Sequence, residues 1–500
     1  MNHTIGTSSK PSNIPDLTND KAFDPSSPLP FCGNYFCTWG RQGGPEGMNE
    51  ENMFGEKGVV TSYPTAHRSS LIVVYDDGWD IPFGTRNPEE IYRYGKGYPD
   101  PDRFPSTRGM TPPQAMKWLV DQTKRLGFAG AGVWIAMQIS RDSDIMYHMD
   151  DYIAHWTRVA KWANEADVAY WKVDWGQHYW NNAEARENLT KIVRRYAPRL
   201  LIEHAHVCGG MAPRPDFETT QERLSRERHV MRVFNASDYY RTYDCNFKEL
   251  ALATTLHRMG AVFANADQID ENNGCRHIFN TENELYAAAA LGCTVASELQ
   301  HPVLCHQYLA VERVLQWQRF MPPFSMCKKG NHMDQAFLTN AFYDGNHLLI
   351  SQSAPARFSR NCPLPTVHLT IGQQQPFVLC AVHPQTKAAA VYAAGRVVPE
   401  NRHCEAYADI TVTLPTAEAP IAVFGSCYRT LTLQFDQTIE QRRVFVQDLA
   451  QLTEPAYEIT NDLQINDHTL TLTRTQIETY GNRATYPEDE SDPGLILYLR

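Results

Sequence analysis

From about residue 30 to residue 325, short apolar runs alternate with stretches of helical periodicity. The runs predict strands at Phe31–Trp39, Leu71–Tyr75, Ala131–Ala136, Val168–Val173, Leu200–Ala205, Val230–Phe234, Ala261–Ala264 and Thr294–Ser297. Most are apolar almost throughout, as strands covered on both faces are. The helices between them carry their own punctuation. Thr111-Pro112-Pro113 starts one that runs through Leu126 and stops at Gly127. Met146–Ala166 places Ile153, Trp156, Val159, Ala160 and Ala163 on one face. Ala183–Tyr196 stops before Pro198, Phe247–Met259 ends at Gly260, Glu282–Leu291 ends at Gly292, and Leu304–Phe320 stops before Pro322-Pro323. The segments after the first and fifth strands have weaker periodicity and read as loops.

Eight strand-then-helix units over about 300 residues predict an α/β protein of the (β/α)8 TIM-barrel class. A doubly wound sheet is the alternative, but no Gly-rich dinucleotide fingerprint follows the first strand. Beyond Pro322 helical periodicity fades. Short strand-like runs at His347–Gln352, Thr366–Ile371, Phe377–Val382, Ala388–Ala393, Asp409–Leu414, Ile421–Gly425, Thr430–Phe435, Arg443–Leu449, Thr469–Thr473 and Leu495–Leu499 predict an antiparallel β-sandwich. The expected organisation is a polar arm over 1–30, a barrel over 31–325 and a sandwich over 326–500.

Composition narrows the class of partner. The 500 residues are too many for one ordinary core but suit a barrel plus a second domain. A net charge of -11 without a basic cluster argues against nucleic acid or an anionic membrane surface as partner. The 12 cysteines form no CxxC pair, and residues 1–30 hold no apolar stretch of the kind a secretory leader needs. The expectation is a cytoplasmic protein with reduced thiols, or a periplasmic or secreted one if a leader was removed. Oligomeric state is not readable. With 10 Trp and 24 Tyr, the chain has flat rings that pack either in a large core or against the C–H faces of sugars.

Candidate chemistry sits at the predicted strand exits. Asp76-Asp77-Gly78-Trp79 ends the second strand, where two carboxylates can accept hydroxyl hydrogens and Trp79 can form an apolar wall; an ordinary Asp-Gly turn is the bland reading. Trp134 ends the third strand. Lys172 and Asp174 end the fourth, two residues apart and so on one face, where the ammonium keeps the aspartate anionic; a buried structural pair is the alternative. Glu203-His204-Ala205-His206-Val207-Cys208-Gly209-Gly210 ends the fifth, with Glu203 on one face and His204, His206 and Cys208 on the other. Those three offer a competing zinc reading, though no fourth ligand is evident. Ser237-Asp238-Tyr239-Tyr240 follows the predicted sixth strand. An aspartate among aromatics is partly desolvated and so suited to hold a proton, or it is a helix cap.

Taken in order, these segments resemble the α-galactosidase clan of retaining glycosidases, clan D, with glycoside hydrolase families 27 and 36. The Asp76–Trp79 tetrad is similar to that clan's sugar-binding strand end, and Lys172-x-Asp174 to its nucleophile strand. Cys208-Gly209-Gly210 through Arg214-Pro-Asp216 resembles a loosened cysteine–glycine loop of family 36, and Ser237-Asp238 its acid/base motif. The resemblance implies Asp174 as nucleophile and Asp238 as acid/base in removal of terminal α-D-galactose. It also implies Asp76 and Asp77 on O4 and O6, Lys172 on O3/O4, and Cys208 with Gly209 near O2, with no metal or organic cofactor. Family 27 carries an arginine four residues before its acid/base. Here Arg232 lies six before Asp238, and it joins Trp79, Trp134 and Glu203 as a candidate substrate ligand.

β-L-Arabinopyranosides, α-N-acetylgalactosaminides and α-glucosides are the neighbouring substrate classes. A non-catalytic carbohydrate-binding protein on the same scaffold is the reading from a different class.

Overall fold

The computed structural model describes residues 27–84, 96–137, 149–174, 183–205, 220–242, 248–297, 306–344, 347–398, 402–404 and 406–500. Seven parallel strands form one sheet in chain order: β1 (Asn34–Cys37), β2 (Leu71–Tyr75), β3 (Gly130–Ile135), β4 (Tyr170–Val173), β5 (Leu201–Ala205), β6 (Tyr239–Arg241) and β7 (Ile278–Asn280). The segment Thr294–Ala296 closes the ring, bridging Asn280 of β7 on one side and Tyr35 of β1 on the other. Followed from Val173, the register reaches the level of Gly40 in one direction and of Cys32 in the other, a stagger of eight residues. That is the stagger at which an eight-membered barrel closes with its strands tilted and its interior filled by side chains. The chain folds as a TIM-barrel-like domain followed by a β-sandwich.

Most barrel elements fall where the apolar pattern places them; two strands do not. Val230–Phe234 lies inside the helix Thr220–Asn235, and Ala261–Phe263 inside the helix Lys248–Phe263. A five-residue apolar run fits either a covered strand or one face of a covered helix. Here Val230, Met231, Val233 and Phe234 are all buried against the barrel wall. The true sixth and seventh strands have three residues each, too short for their pattern to announce them. The consequence for Asp238 is direct: it precedes β6 instead of following a strand.

Side chains stack inward in layers drawn from alternate strands. By the staggered register, Cys37, Trp134, Ala205 and Glu282 form the upper layer. Val74, Lys172, Arg241 and Ala296 form the next, and Tyr35, Gly132, Glu203 and Asn280 the one beneath. Ile72, Tyr170, Leu201, Tyr239 and Ile278 fill the lower interior. Gly132 is a packing requirement, because a Cβ there would stand 2.7 Å from the Cβ of Tyr170.

The ten strand-like runs of the C-terminal region each correspond to a strand, in an eight-stranded and a five-stranded sheet plus the hairpin formed by Phe337–Asp344 and His347–Pro355. The two larger sheets enclose an apolar core containing Val378, Val391, Ile410, Leu431 and Leu497. Pairing is mixed: Ala389–Ala394 runs parallel to Ile421–Phe424, and Ala408–Leu414 parallel to Tyr428–Phe435. The antiparallel expectation therefore holds for part of the pairing. Two buried arginines fasten the sandwich to the barrel. Arg313, on the helix Tyr308–Trp317, grips both oxygens of Asp448 at 3.0 Å. Arg360 donates to the carbonyls of Leu291 (2.6 Å) and Ser325 (2.7 Å) and lies over the Phe324 ring at 3.9 Å. Among the described residues, no helix is long and apolar enough to cross a membrane.

Candidate active site at the carboxyl end of the barrel

In barrels of this kind chemistry gathers where strands end, because loops there approach one another over the filled interior. Asp174 is the residue immediately after β4, its backbone N–H still bonded to the Ile135 carbonyl at 2.9 Å. One carboxylate oxygen accepts from the Trp134 indole N–H at 2.9 Å and the other from Arg241 Nη2 at 2.8 Å. Burial pushes this carboxyl up. The Arg241 and Lys172 charges and the two hydrogen bonds outweigh burial and hold it well below the usual carboxylate range. Asp174 is a fixed anion. Beneath it, buried Arg186 donates to the Asp174 carbonyl at 3.0 Å, locking the strand exit.

Beside this anion stands a second pair. Asp76, just past β2, accepts from Lys172 Nζ at 2.9 Å and from the Cys37 thiol at 3.1 Å. The Asp77 N–H donates back to Asp76 Oδ1 at 2.8 Å, and the Asp77 carbonyl takes a bond from Gln42 at 2.8 Å. Asp76, Asp77, Trp134, Lys172 and Asp174 therefore meet at one end of the barrel, as the strand-exit reading expects.

Arg241 is the residue that reading missed. Its Nε lies 3.2 Å from Glu203 Oε1 and 3.3 Å from Glu282 Oε1, while Nη2 holds Asp174. One guanidinium joins three acidic side chains. Glu203 is sealed one layer down and takes Tyr170 Oη and Asn280 Nδ2 at 2.8 Å each. Burial first, and then the Glu203 charge, push the Tyr35 and Tyr170 hydroxyls well above the usual phenol range, so both stay donors. Glu203 is thus an anchor for Arg241 rather than an exposed ligand. Its alternation with Tyr239 and Arg241 across β5 and β6 would have revealed the cluster, had the three-residue β6 been visible.

Three sequence-predicted residues lie elsewhere. Asp238 sits at the amino end of β6, where its N–H donates to the Ile202 carbonyl at 3.0 Å. Its carboxylate accepts from Arg194 at 2.5 Å and from the Ile202 N–H at 3.0 Å. Asp174 follows Val173, the partner of His204, so three residues of β5 separate the two levels, about 10 Å at the usual rise per residue. The two aspartates occupy opposite rims, and the expected acid/base placement is corrected. Arg232 lies on the outer face of its helix, paired with Glu187 at 2.8 Å, and faces no part of the barrel mouth. Trp79 donates its indole N–H to the Trp134 carbonyl at 2.9 Å. Its ring is sealed beside Ile135 and Trp156, so it forms no wall of an open site.

His204 points out of the barrel, its ring nitrogens 2.9 Å from Thr190 Oγ1 and 3.3 Å from Arg186. Burial and the Arg186 and Arg194 charges push its pKa well below the usual imidazole value, so it is a neutral structural group. His206, Cys208, Gly209, Arg214, Asp216, Trp175 and Trp180 lie outside the described residues.

No family model matches the chain, and no curated protein matches it in sequence. Among solved structures it is similar to a provisionally assigned alpha-galactosidase of Bacteroides fragilis NCTC 9343, at 10% identity and TM-score 0.41, covering 94% of this chain and 79% of that one. It is similar to an alpha-amylase of Geobacillus thermoleovorans at 9% identity and TM-score 0.39, covering 93% and 98%. It is also similar to an alpha-L-arabinofuranosidase of Thermotoga maritima at 10% identity and TM-score 0.34, covering 91% and 92%. Likeness at this level specifies neither a family nor an activity for this chain.

Proposed function

We propose that the protein is a glycoside hydrolase that removes terminal α-D-galactosyl residues with retention, using Asp174 as nucleophile. The observation that carries the reading is the state of Asp174. It is a carboxylate fixed as an anion by Arg241 and Trp134 at the carboxyl end of a TIM-type barrel, next to the Asp76–Lys172 pair. An anionic carboxylate at a barrel mouth can attack an anomeric carbon and form a glycosyl-enzyme. The neighbouring Asp76 and Lys172 supply an acceptor and a donor side by side, which suits two adjacent sugar hydroxyls. This chemistry calls for no metal or organic cofactor.

The test is a panel of aryl α- and β-glycosides, including α-galactoside, β-L-arabinopyranoside, α-N-acetylgalactosaminide and α-glucoside, presented to wild type and Asp174→Ala. The expected result is wild-type turnover of the α-galactoside, its loss in the variant, and rescue by azide with a glycosyl azide of inverted configuration. Undiminished turnover by a folded Asp174→Ala protein sinks the proposal.

A further inference from the structure

Resting on the glycosidase reading, we infer that Glu282, just past β7, carries the catalytic proton that Asp238 is placed too far away to supply. Glu282 belongs to the upper interior layer, and its Oε1 lies 3.3 Å from the same Arg241 guanidinium that holds Asp174. It also lies 3.4 Å from the Tyr35 hydroxyl. Sharing one guanidinium keeps the Asp174 and Glu282 carboxyl groups close together, as the two acids of a retaining glycosidase must be.

The backbone there is held in place at a cost. Glu282 has a φ of 52°, a left-handed conformation that a side chain with a Cβ rarely adopts. It is pinned by the Ala296 N–H on its carbonyl at 3.1 Å and by its own N–H on Asn280 Oδ1 at 2.8 Å. Strain retained in a non-glycine residue is characteristic of functional positions.

Charge bears on the proton. Among the described residues, Asp76, Asp77, Asp174, Glu203 and Glu282 gather around Lys172 and Arg241, and acids crowded together in a buried cluster favour retaining a proton. Asp174 is held as an anion, Asp76 is paired with Lys172, and Glu203 is sealed one layer lower. Glu282, in the upper layer and on the same guanidinium as Asp174, is the acid assigned to exchange a proton with substrate.

In the first step Asp174 bonds to the anomeric carbon, the glycosidic C–O bond breaks, and the Glu282 carboxylic acid gives its proton to the leaving oxygen. In the second step Glu282, now a carboxylate, takes a proton from water as the water oxygen displaces Asp174 from the anomeric carbon. Sugar and alcohol are released, and both acids return to their starting states.

The experiment uses the full chain and aryl α-galactosides whose leaving phenols span a wide range of acidity. Glu282→Gln is expected to lower kcat/KM by about 10²–10⁴-fold for the poorest leaving group and little for dinitrophenolate. It should also erase the basic limb of the pH profile and, with azide, release a glycosyl azide of retained configuration. Glu282→Asp, which keeps the acid but draws it back, should show the same pattern more weakly, and thermal melting of both variants checks folding. A uniform loss across leaving groups with an unmoved pH profile overturns the inference. So does finding the leaving-group pattern in Asp244→Asn, the next acid along the chain after Arg241. In either case wild-type turnover and the loss in Asp174→Ala leave the glycosidase reading intact; a wild type inert towards every glycoside overturns both.

Discussion

The two rims of the barrel hold look-alike sites of opposite meaning. At the carboxyl end Asp174 is bonded to Arg241 and Trp134; at the amino end Asp238 is bonded to Arg194 and a backbone N–H. Each is a buried aspartate with an arginine partner. What separates them is company. Asp238 ties the start of β6 to Ile202 of β5 and to the helix Ala183–Tyr196, and its bonds serve that junction. Asp174 has a second ion pair beside it, a carboxylate-linked arginine below it and the ends of four strands around it. A buried ion pair alone is weak grounds for assigning catalysis; several at successive strand ends of one rim are better grounds.

The contrast can be broken by substitution. The largest effect is expected from Asp174→Ala, which should lower kcat by about four orders of magnitude or more if it is the nucleophile, with the fold retained. Asp238→Asn should do the reverse: it leaves Arg194 without its charge partner and should cost about 2–3 kcal/mol of stability, read from urea titration. Its kcat per folded molecule should stay at the wild-type value. A loss of kcat in Asp238→Asn without a loss of stability would restore that residue as a catalytic candidate.

Arg241→Met sharpens the carboxyl end. Arg241 holds Asp174 below its usual range, so the acid limb of the wild-type activity profile is expected below the ordinary carboxylate range. The variant should move that limb to higher pH. The linked stability has a definite sign. A depressed folded pKa stabilises above the unfolded value near 4 and is lost as pH falls through the folded value, so the wild-type advantage over Arg241→Met should shrink on acidification below about pH 4. The smallest effect belongs to Arg232→Ala. Its half-exposed pair with Glu187 should be worth less than about 1 kcal/mol, and activity should not change.

Much of this arrangement was legible in the linear order of residues. Lys172 and Asp174 share a face because a strand alternates, and Asp76 follows a five-residue apolar run that forms a strand in any sheet. Helix boundaries at Pro112, Ala183 and Gly292 follow from local capping and turn preferences, which neighbouring residues fix. Arg241 was not legible, because β6 has three residues, Tyr239-Tyr240-Arg241, and no apolar pattern of its own. The run just before it, Val230–Phe234, is a better strand by composition and is a helix by packing.

What the residues determined alone is therefore alternation, capping and the class of fold, all set by interactions within a few positions. Which rim an acid belongs to was decided by the closed barrel. Parallel pairing carries a residue to its level through partners tens of positions away in the chain, and a misplaced strand sends its aspartate to the opposite end.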